Sequence, residues 1–227
     1  SQAQARKLTE DSLRAVDPGA LRELVASLPA DAPIHIHAAE QTKEVEDCRL
    51  ALGQRPVEWL LSNFAVDERW CLVHATHMVE DEVRGLAHSG AVAGLCPTTE
   101  GNLGDGIFPA REFVEAGGVF GVGTDSNVLV GAADELRQLE YGQRLKHRQR
   151  NVLSGGAGAS TGRTLFDQAL AGGSRALAQP TAGLTPGARA DIVTLDAAHP
   201  SLAGRQGDAA IDGWIFAAGG GAIDCVW

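Results

Sequence analysis

Residues 70–125 read WCLVHATHMVEDEVRGLAHSGAVAGLCPTTEGNLGDGIFPAREFVEAGGVFGVGTD. Three short apolar runs punctuate this stretch: WCLVHA at 70–75, AVAGLCP at 91–97 and VFGVGTD at 119–125. None alternates between apolar and polar residues, which is the pattern of parallel strands covered on both faces. Between the runs, VEDEVRGLAHSG and PAREFVEAGG carry helical spacing. They close on Gly90 and Gly117, the residue type that most readily takes the left-handed conformation ending a helix. Pro109 opens the second helix, where a missing N–H costs nothing. Strands alternating with helices in this way predict an α/β fold with a parallel sheet.

The same alternation extends outward. PGALRELVASL, residues 18–28, reads as a helix with Leu21, Leu24, Val25 and Leu28 on one face. PIHIHAA, residues 33–39, reads as a strand. Residues 41–52 and 56–64 read as helices, with Val45, Leu50, Leu52, Trp59 and Leu60 available to face a core. Beyond residue 125, DELRQLEYGQRLKHRQR reads as a longer helix and 161–178 as another. SGGAGAS, residues 154–160, reads as a flexible loop. It has no preceding strand and no GK[ST] ending, which weighs against a phosphate cradle. GLTPGARADIVTLD and GAIDCVW in the tail read as strands of a separate β element. The predicted domains are therefore 1–180, part of a barrel, and 181–227, a return to a small β domain.

Charge and composition narrow the function classes. The 227 residues carry 29 acidic against 19 Lys and Arg side chains, a net charge of -10, which repels a phosphate backbone and weighs against nucleic acid. The basic cluster Arg144–Arg150 lies in a helical stretch and reads as a solvated face. No run of ~18 uncharged apolar residues occurs, so no transmembrane helix is expected. The first residues, SQAQARKLTE, lack the apolar segment of a signal peptide. Cys48, Cys71, Cys96 and Cys225 are far apart and show no CxxC spacing, which predicts reduced thiols, a cytoplasmic location and no cysteine-built zinc site.

The strand ends carry the chemistry. The first ends in His35-x-His37-x-x-Glu40, the second in His74 with His77 beyond, the third in Cys96-Pro97-Thr98-Thr99-Glu100, and the fourth in Asp125. In parallel α/β barrels the active site lies at the carboxyl ends of the strands, so these residues are expected to converge. Singly, each has an ordinary structural reading: a satisfied histidine, a helix-starting glutamate, an aspartate in the turn-forming TDSN. Together, imidazole and carboxylate on successive strand ends are the non-thiol ligand types of zinc. His37 is preferred as ligand because Glu40 stands just past it, while His35 is expected to point at a lower layer. His77, His88, His147 and His199 read as structural or surface residues.

HxxE at one strand end, His at the next and Asp at a later one resemble the amidohydrolase superfamily in its deaminase branch. HIHAAEQTKEV, LVHATHM, CPTTEGNLGDGIFP and GVGTDSN resemble, within that branch, members acting on an acidic, acyclic formimino substrate. The resemblance runs from Ser12 over nearly the whole chain, and the spacing of the CPTTEGNLGDG segment, read as a loop after its strand, to GTDSN is its most specific part. It implies the later strands and helices of a (β/α)8 TIM-like barrel with part of a small β-sandwich domain, and one zinc ion as cofactor. It implies His37 and Asp125 as metal ligands and Glu40 as the acid that shuttles a proton to the leaving nitrogen. His74 would polarise the attacked carbon, Asp125 would also take the proton of the attacking water, and Arg14 would bind a substrate carboxylate. Two departures stand out. The branch's HxH strand, which brings two further ligands, is not in the sequence, and Asp11 occupies the position before SLRAV where the branch usually has His. The chain is therefore expected to be a fragment that holds metal weakly, is inert alone, and either self-associates or pairs with a chain supplying the missing strands. Rival readings are another deaminase of the superfamily, acting on guanine, cytosine or a related base, and a non-catalytic barrel remnant.

Overall fold

The computed structural model describes residues 17–126, 129–181 and 183–227. The first helix, α1 (Pro18–Ser27), begins where Asp17 accepts hydrogen bonds from the N–H groups of Gly19 and Ala20. Strand β1 (Ile34–Ala38) follows, then helices α2 (Thr42–Leu52) and α3 (Pro56–Asn63) and strand β2 (Trp70–His74). Helix α4 (Glu80–Ser89) leads to β3 (Val92–Leu95), and helices α5 (Pro97–Leu103) and α6 (Ala110–Glu115) lead to β4 (Val119–Val122). Gly90 and Gly117 take the left-handed conformation at the ends of α4 and α6, as their positions in the sequence predict. Helices α7 (Ala132–His147) and α8 (Thr161–Ala176) complete the α/β part.

The strands form one four-stranded sheet in the order β1-β2-β3-β4, every pair parallel. Because each crossover returns the chain to the same end of the sheet, all four carboxyl ends share one edge. The larger of two core clusters has Leu72, Phe120, Leu95, Phe113 and Leu165 among its fully buried side chains, and Cys71, Val92 and Ala176 form a smaller one. Three aromatic rings, Trp59, Phe64 and Trp70, pack in sequence at centroid separations of 5.6 and 5.5 Å.

Two expectations need correction. Leu50 is 87% exposed and does not face the core; Val45 and Cys48 fill the buried face of α2, and residue 50 projects from the opposite side. PTTEGNL, read as the loop following a strand, is helix α5, with Pro97 in its first turn and left-handed Gly104 at its end. The tail forms the short strands β5 (Val193–Leu195) and β6 (Ile223–Val226), paired antiparallel with a register shift at Thr194/Leu195. Between them lies helix α9 (Asp208–Gly213), continued by a wider turn over Trp214–Ala218, which the sequence reading leaves unassigned. Among the described residues no helix is long and apolar enough to cross a membrane.

Helix α8 approaches β4 so closely that Gly172 lies on the strand backbone. A Cβ at Gly172 would sit 1.9 Å from the carbonyl oxygen of Phe120, and no side-chain rotation relieves a clash with backbone. Gly172→Ala is therefore expected to destabilise the chain by about 3 kcal/mol through overpacking, read from the urea midpoint. The four cysteines are free. Burial pushes the Cys71 thiol up to about 12 and, with neighbouring carboxylates, the Cys48 thiol up to about 11; burial also raises that of Cys96. A thiol reagent near neutral pH should modify only Cys225 in the native chain and all four cysteines after unfolding.

Candidate active site

The carboxyl edge of the sheet gathers imidazoles and carboxylates around His74. At the end of β2, its side chain is only 1% exposed. Its Nε2 lies 3.7 Å from Glu40 Oε1 and 3.9 Å from Asp125 Oδ2. The His37 ring, on the neighbouring strand β1, has its centroid 5.3 Å from that of His74. Both Nε2 separations exceed hydrogen-bond length.

The backbone at this edge is conformationally costly. Ala39, His74, Ala75 and Asp125 all have positive φ, at 54, 66, 48 and 47°. Each such non-glycine residue costs on the order of 1–3 kcal/mol and persists only where its surroundings hold it. The positions coincide with the strand ends that carry the polar side chains.

His74 Nδ1 faces Glu100 Oε1 at 3.4 Å, and the same oxygen accepts the N–H of Cys96 at 3.1 Å. Burial alone would lower the His74 pKa. The hydrogen bond to Glu100 and the charges of Glu40, Glu100 and Asp125 outweigh burial and hold it above the ordinary histidine value. Glu135, also buried, accepts the N–H of Thr98 at 2.9 Å. Burial is the main cause that raises its pKa, outweighing the lowering effect of its bonds to Thr98.

Of the residues singled out from sequence, His37, Glu40, His74 and Asp125 meet at this edge. Arg14 and Asp11 lie outside the described residues. His35 turns away, its Nε2 2.7 Å from the carbonyl oxygen of Ala176 at the end of α8. His77 Nε2 lies 2.7 Å from the carbonyl oxygen of Asp105. His88 is exposed on α4, His147 lies 3.7 Å from Glu112, and His199 Nδ1 accepts the N–H of Ser201. Sequence reasoning passed over the roles of Glu100 and Glu44. Glu100 stands in the quoted CPTTEG motif, and its spacing of four from Cys96, across a Pro-started turn, is the signal that could have marked a carboxylate reaching back to a strand end.

Imidazole and carboxylate at one strand edge are the donor types that a divalent metal such as zinc accepts without thiolate. His37 and Asp125 fit such an ion in kind. Among the described residues no group of three His, Cys, Asp or Glu side chains is arranged to hold a metal, so the described donors amount to part of a site, since catalytic zinc typically takes three protein ligands.

Imidazoles and carboxylates at the carboxyl edge of a parallel α/β sheet define the class of α/β-barrel proteins with a polar site on that face. The chain belongs to the amidohydrolase family, whose profile matches residues 4–227, and its parallel sheet is part of that family's barrel. It is 54% identical to formimidoylglutamate deiminase of Pseudomonas aeruginosa over 208 residues, 92% of this chain and 46% of that protein. It is 34% identical to 5-methylthioadenosine/S-adenosylhomocysteine deaminase of Halobacterium salinarum, over 84% of this chain and 44% of that protein. Among solved structures, an amidohydrolase from Brucella melitensis superposes with a TM-score of 0.89 at 57% identity, covering 96% of this chain and 47% of its own. An adenosine deaminase from Xanthomonas campestris with bound zinc superposes with a TM-score of 0.82 at 26% identity, covering 96% and 49%. The chain thus spans about half the length of the relatives it matches.

In the metal-free chain the His74 ring is expected to titrate above 6.5, the ordinary histidine value, with the midpoint read by NMR of its imidazole. A raised folded pKa means that the stabilisation from His74 is complete below about 6.5 and is lost as pH rises through the folded value. Glu100→Gln removes the hydrogen bond that raises it and should move the midpoint down. A midpoint unchanged in Glu100→Gln would contradict the pairing.

Proposed function

We propose that the protein to which this chain belongs is a zinc-dependent amidohydrolase that deiminates N-formimino-L-glutamate to N-formyl-L-glutamate and ammonia, a step of histidine degradation. The observation that carries the reading is the meeting of Glu40, His74 and Asp125 at one strand edge in a chain 54% identical to a formimidoylglutamate deiminase.

The formimino carbon is an amidine-like electrophile. Water adds to it, the C–N bond to the terminal nitrogen breaks, and that nitrogen must leave protonated as ammonia. One group has to accept a proton and another has to donate one. Asp125, at the more open rim, takes the proton of the attacking water. Glu40, mostly shielded from solvent, carries a proton to the leaving nitrogen. His74, between them and held by Glu100, places Nε2 against the charge that develops on the tetrahedral carbon's substituents. His37 and Asp125 would hold the zinc, whose chemistry when bound is to make hydroxide available near neutral pH. Arg14, in SLRAV, suits a substrate carboxylate because its planar fork binds both oxygens. In the same reading, residues 1–180 belong to the barrel, and 181–227, with the β5–β6 pair, belong to the return toward a small β domain.

The test is ammonia release by the whole protein with N-formimino-L-glutamate. Glu40→Gln and Asp125→Asn should each lower kcat by about 10²-fold or more. Arg14→Ala should act mainly by raising KM. Removing metal with a chelator should abolish turnover, and zinc should restore it. A clear preference for an aminopurine, or unchanged kinetics in Arg14→Ala, would overturn the substrate assignment.

A further inference from the structure

We propose that Glu44 is a positioning residue that sets Glu40 against His74 by clamping the backbone between β1 and α2. The proposal rests on the reading of Glu40 as the proton-carrying acid.

The link between β1 and α2 is only residues 39–41 long. Within it, Ala39 is left-handed at φ 54°, so the link does not hold its shape by local preference. Glu44 is the third residue of α2, the position from which a glutamate commonly reaches back to the N-cap N–H. Here it reaches further. Oε1 accepts the N–H of Ala39 and Oε2 the N–H of Glu40, both at 2.9 Å. Glu44 is 0% exposed. Burying a carboxylate is costly, and both of its oxygens are engaged by two consecutive amides of one three-residue link.

The other side of the link is tied to the strand that carries His74. The carbonyl of Ala38 accepts the N–H of Ala75, and that of Ala39 accepts the N–H of His77, both at 3.0 Å. Both of these bonds come just after His74 in sequence, and the Glu44 bonds fall at Glu40 and the residue before it. The 3.7 Å between Glu40 Oε1 and His74 Nε2 is therefore spanned by two short backbone segments, one clamped by Glu44 and each bonded to the other. With the clamp removed, a buried and a part-buried N–H group lose their acceptors, left-handed Ala39 is free to relax, and Glu40 shifts with it.

The requirement is for two acceptors. A glutamine at this position has one carbonyl oxygen, and its NH2 group would meet an N–H head-on. Glu44→Gln is therefore expected to be no better than Glu44→Ala, although it is nearly the same shape. Glu44→Asp keeps both acceptors on a shorter stem and should rescue part of the loss.

The experiment measures steady-state kinetics and amide hydrogen exchange in the whole protein, for wild type, Glu44→Gln, Glu44→Asp, Glu40→Gln and the Glu40→Gln/Glu44→Gln pair. In Glu44→Gln, exchange at Ala39 and Glu40 should rise about tenfold or more while the amides of β3 stay protected. Its kcat should fall about 10- to 100-fold with KM within about twofold, the size expected when support behind an active group is lost. Glu44→Asp should fall between wild type and Glu44→Gln in both readouts, and it carries the test if Glu44→Gln does not fold. The double variant should be no slower than Glu40→Gln alone, because a group that acts only through Glu40 has nothing left to position. Unchanged exchange at Ala39 and Glu40, raised exchange with wild-type kcat, or losses that multiply in the double variant would each overturn the proposal. If Glu40→Gln itself keeps wild-type kcat, the reading of Glu40 as the acid fails instead.

Discussion

Where a parallel strand passes into a helix, its last N–H groups run beyond the ladder and need acceptors, and in this protein buried glutamates provide them. Glu44 takes the N–H groups of Ala39 and Glu40 after β1. Glu82 takes those of Glu58 and Val79, the latter just ahead of α4. Glu100 takes that of Cys96 after β3, and Glu135 takes that of Thr98 in the turn that follows. Glu140 takes those of Val152 and Leu153, on the approach to α8. Each of these five residues is at most 3% exposed. A backbone group buried without a partner costs about as much as a lost hydrogen bond, so the polar edge of the sheet stays ordered only while these carboxylates remain in place.

The arrangement also sets the electrostatics of the candidate site. Glu82 is balanced by Arg55 at 2.7 Å and Glu140 by Arg144 at 2.7 Å. Nearer the site, Glu40, Glu100 and Asp125 lie 3.7, 3.4 and 3.9 Å from ring nitrogens of His74. Those carboxylates hold its pKa up against burial. An edge of this character favours a cation or a group that gains positive charge during reaction, and disfavours an anionic atom at the same point. A divalent metal satisfies that condition and so, in the proposed reaction, would an amidine nitrogen that departs protonated.

Much of the architecture is legible in the chain because its signals are local. Apolar runs of four to five residues, the glycines at 90 and 117, and the prolines at 56 and 109 mark where elements begin and end. The exceptions are instructive. Leu50 is apolar in a helical stretch and looks like core, yet only its place around the helix relative to the sheet decides that it faces solvent. PTTEGNL carries two threonines and a glycine and reads as loop, but its helix is held by contacts the segment does not contain, including Glu135 accepting the N–H of Thr98 from α7.

For the site, residue types and their places at strand ends were determined by sequence alone, because a parallel α/β alternation forces successive carboxyl ends to one edge. His37, Glu40, His74 and Asp125 could be named on that ground. Tertiary structure decided what surrounds them. That His74 leans on Glu100, that Glu40 hangs from a link clamped by Glu44, and that His35 turns to the end of α8 all depend on side chains meeting across elements. The physical reason is range. Backbone preference and periodicity act over a few residues and are written in order along the chain. Hydrogen bonds to buried carboxylates act over a few ångströms, and only the folded packing of the sheet and its helices brings most of their partners within that distance.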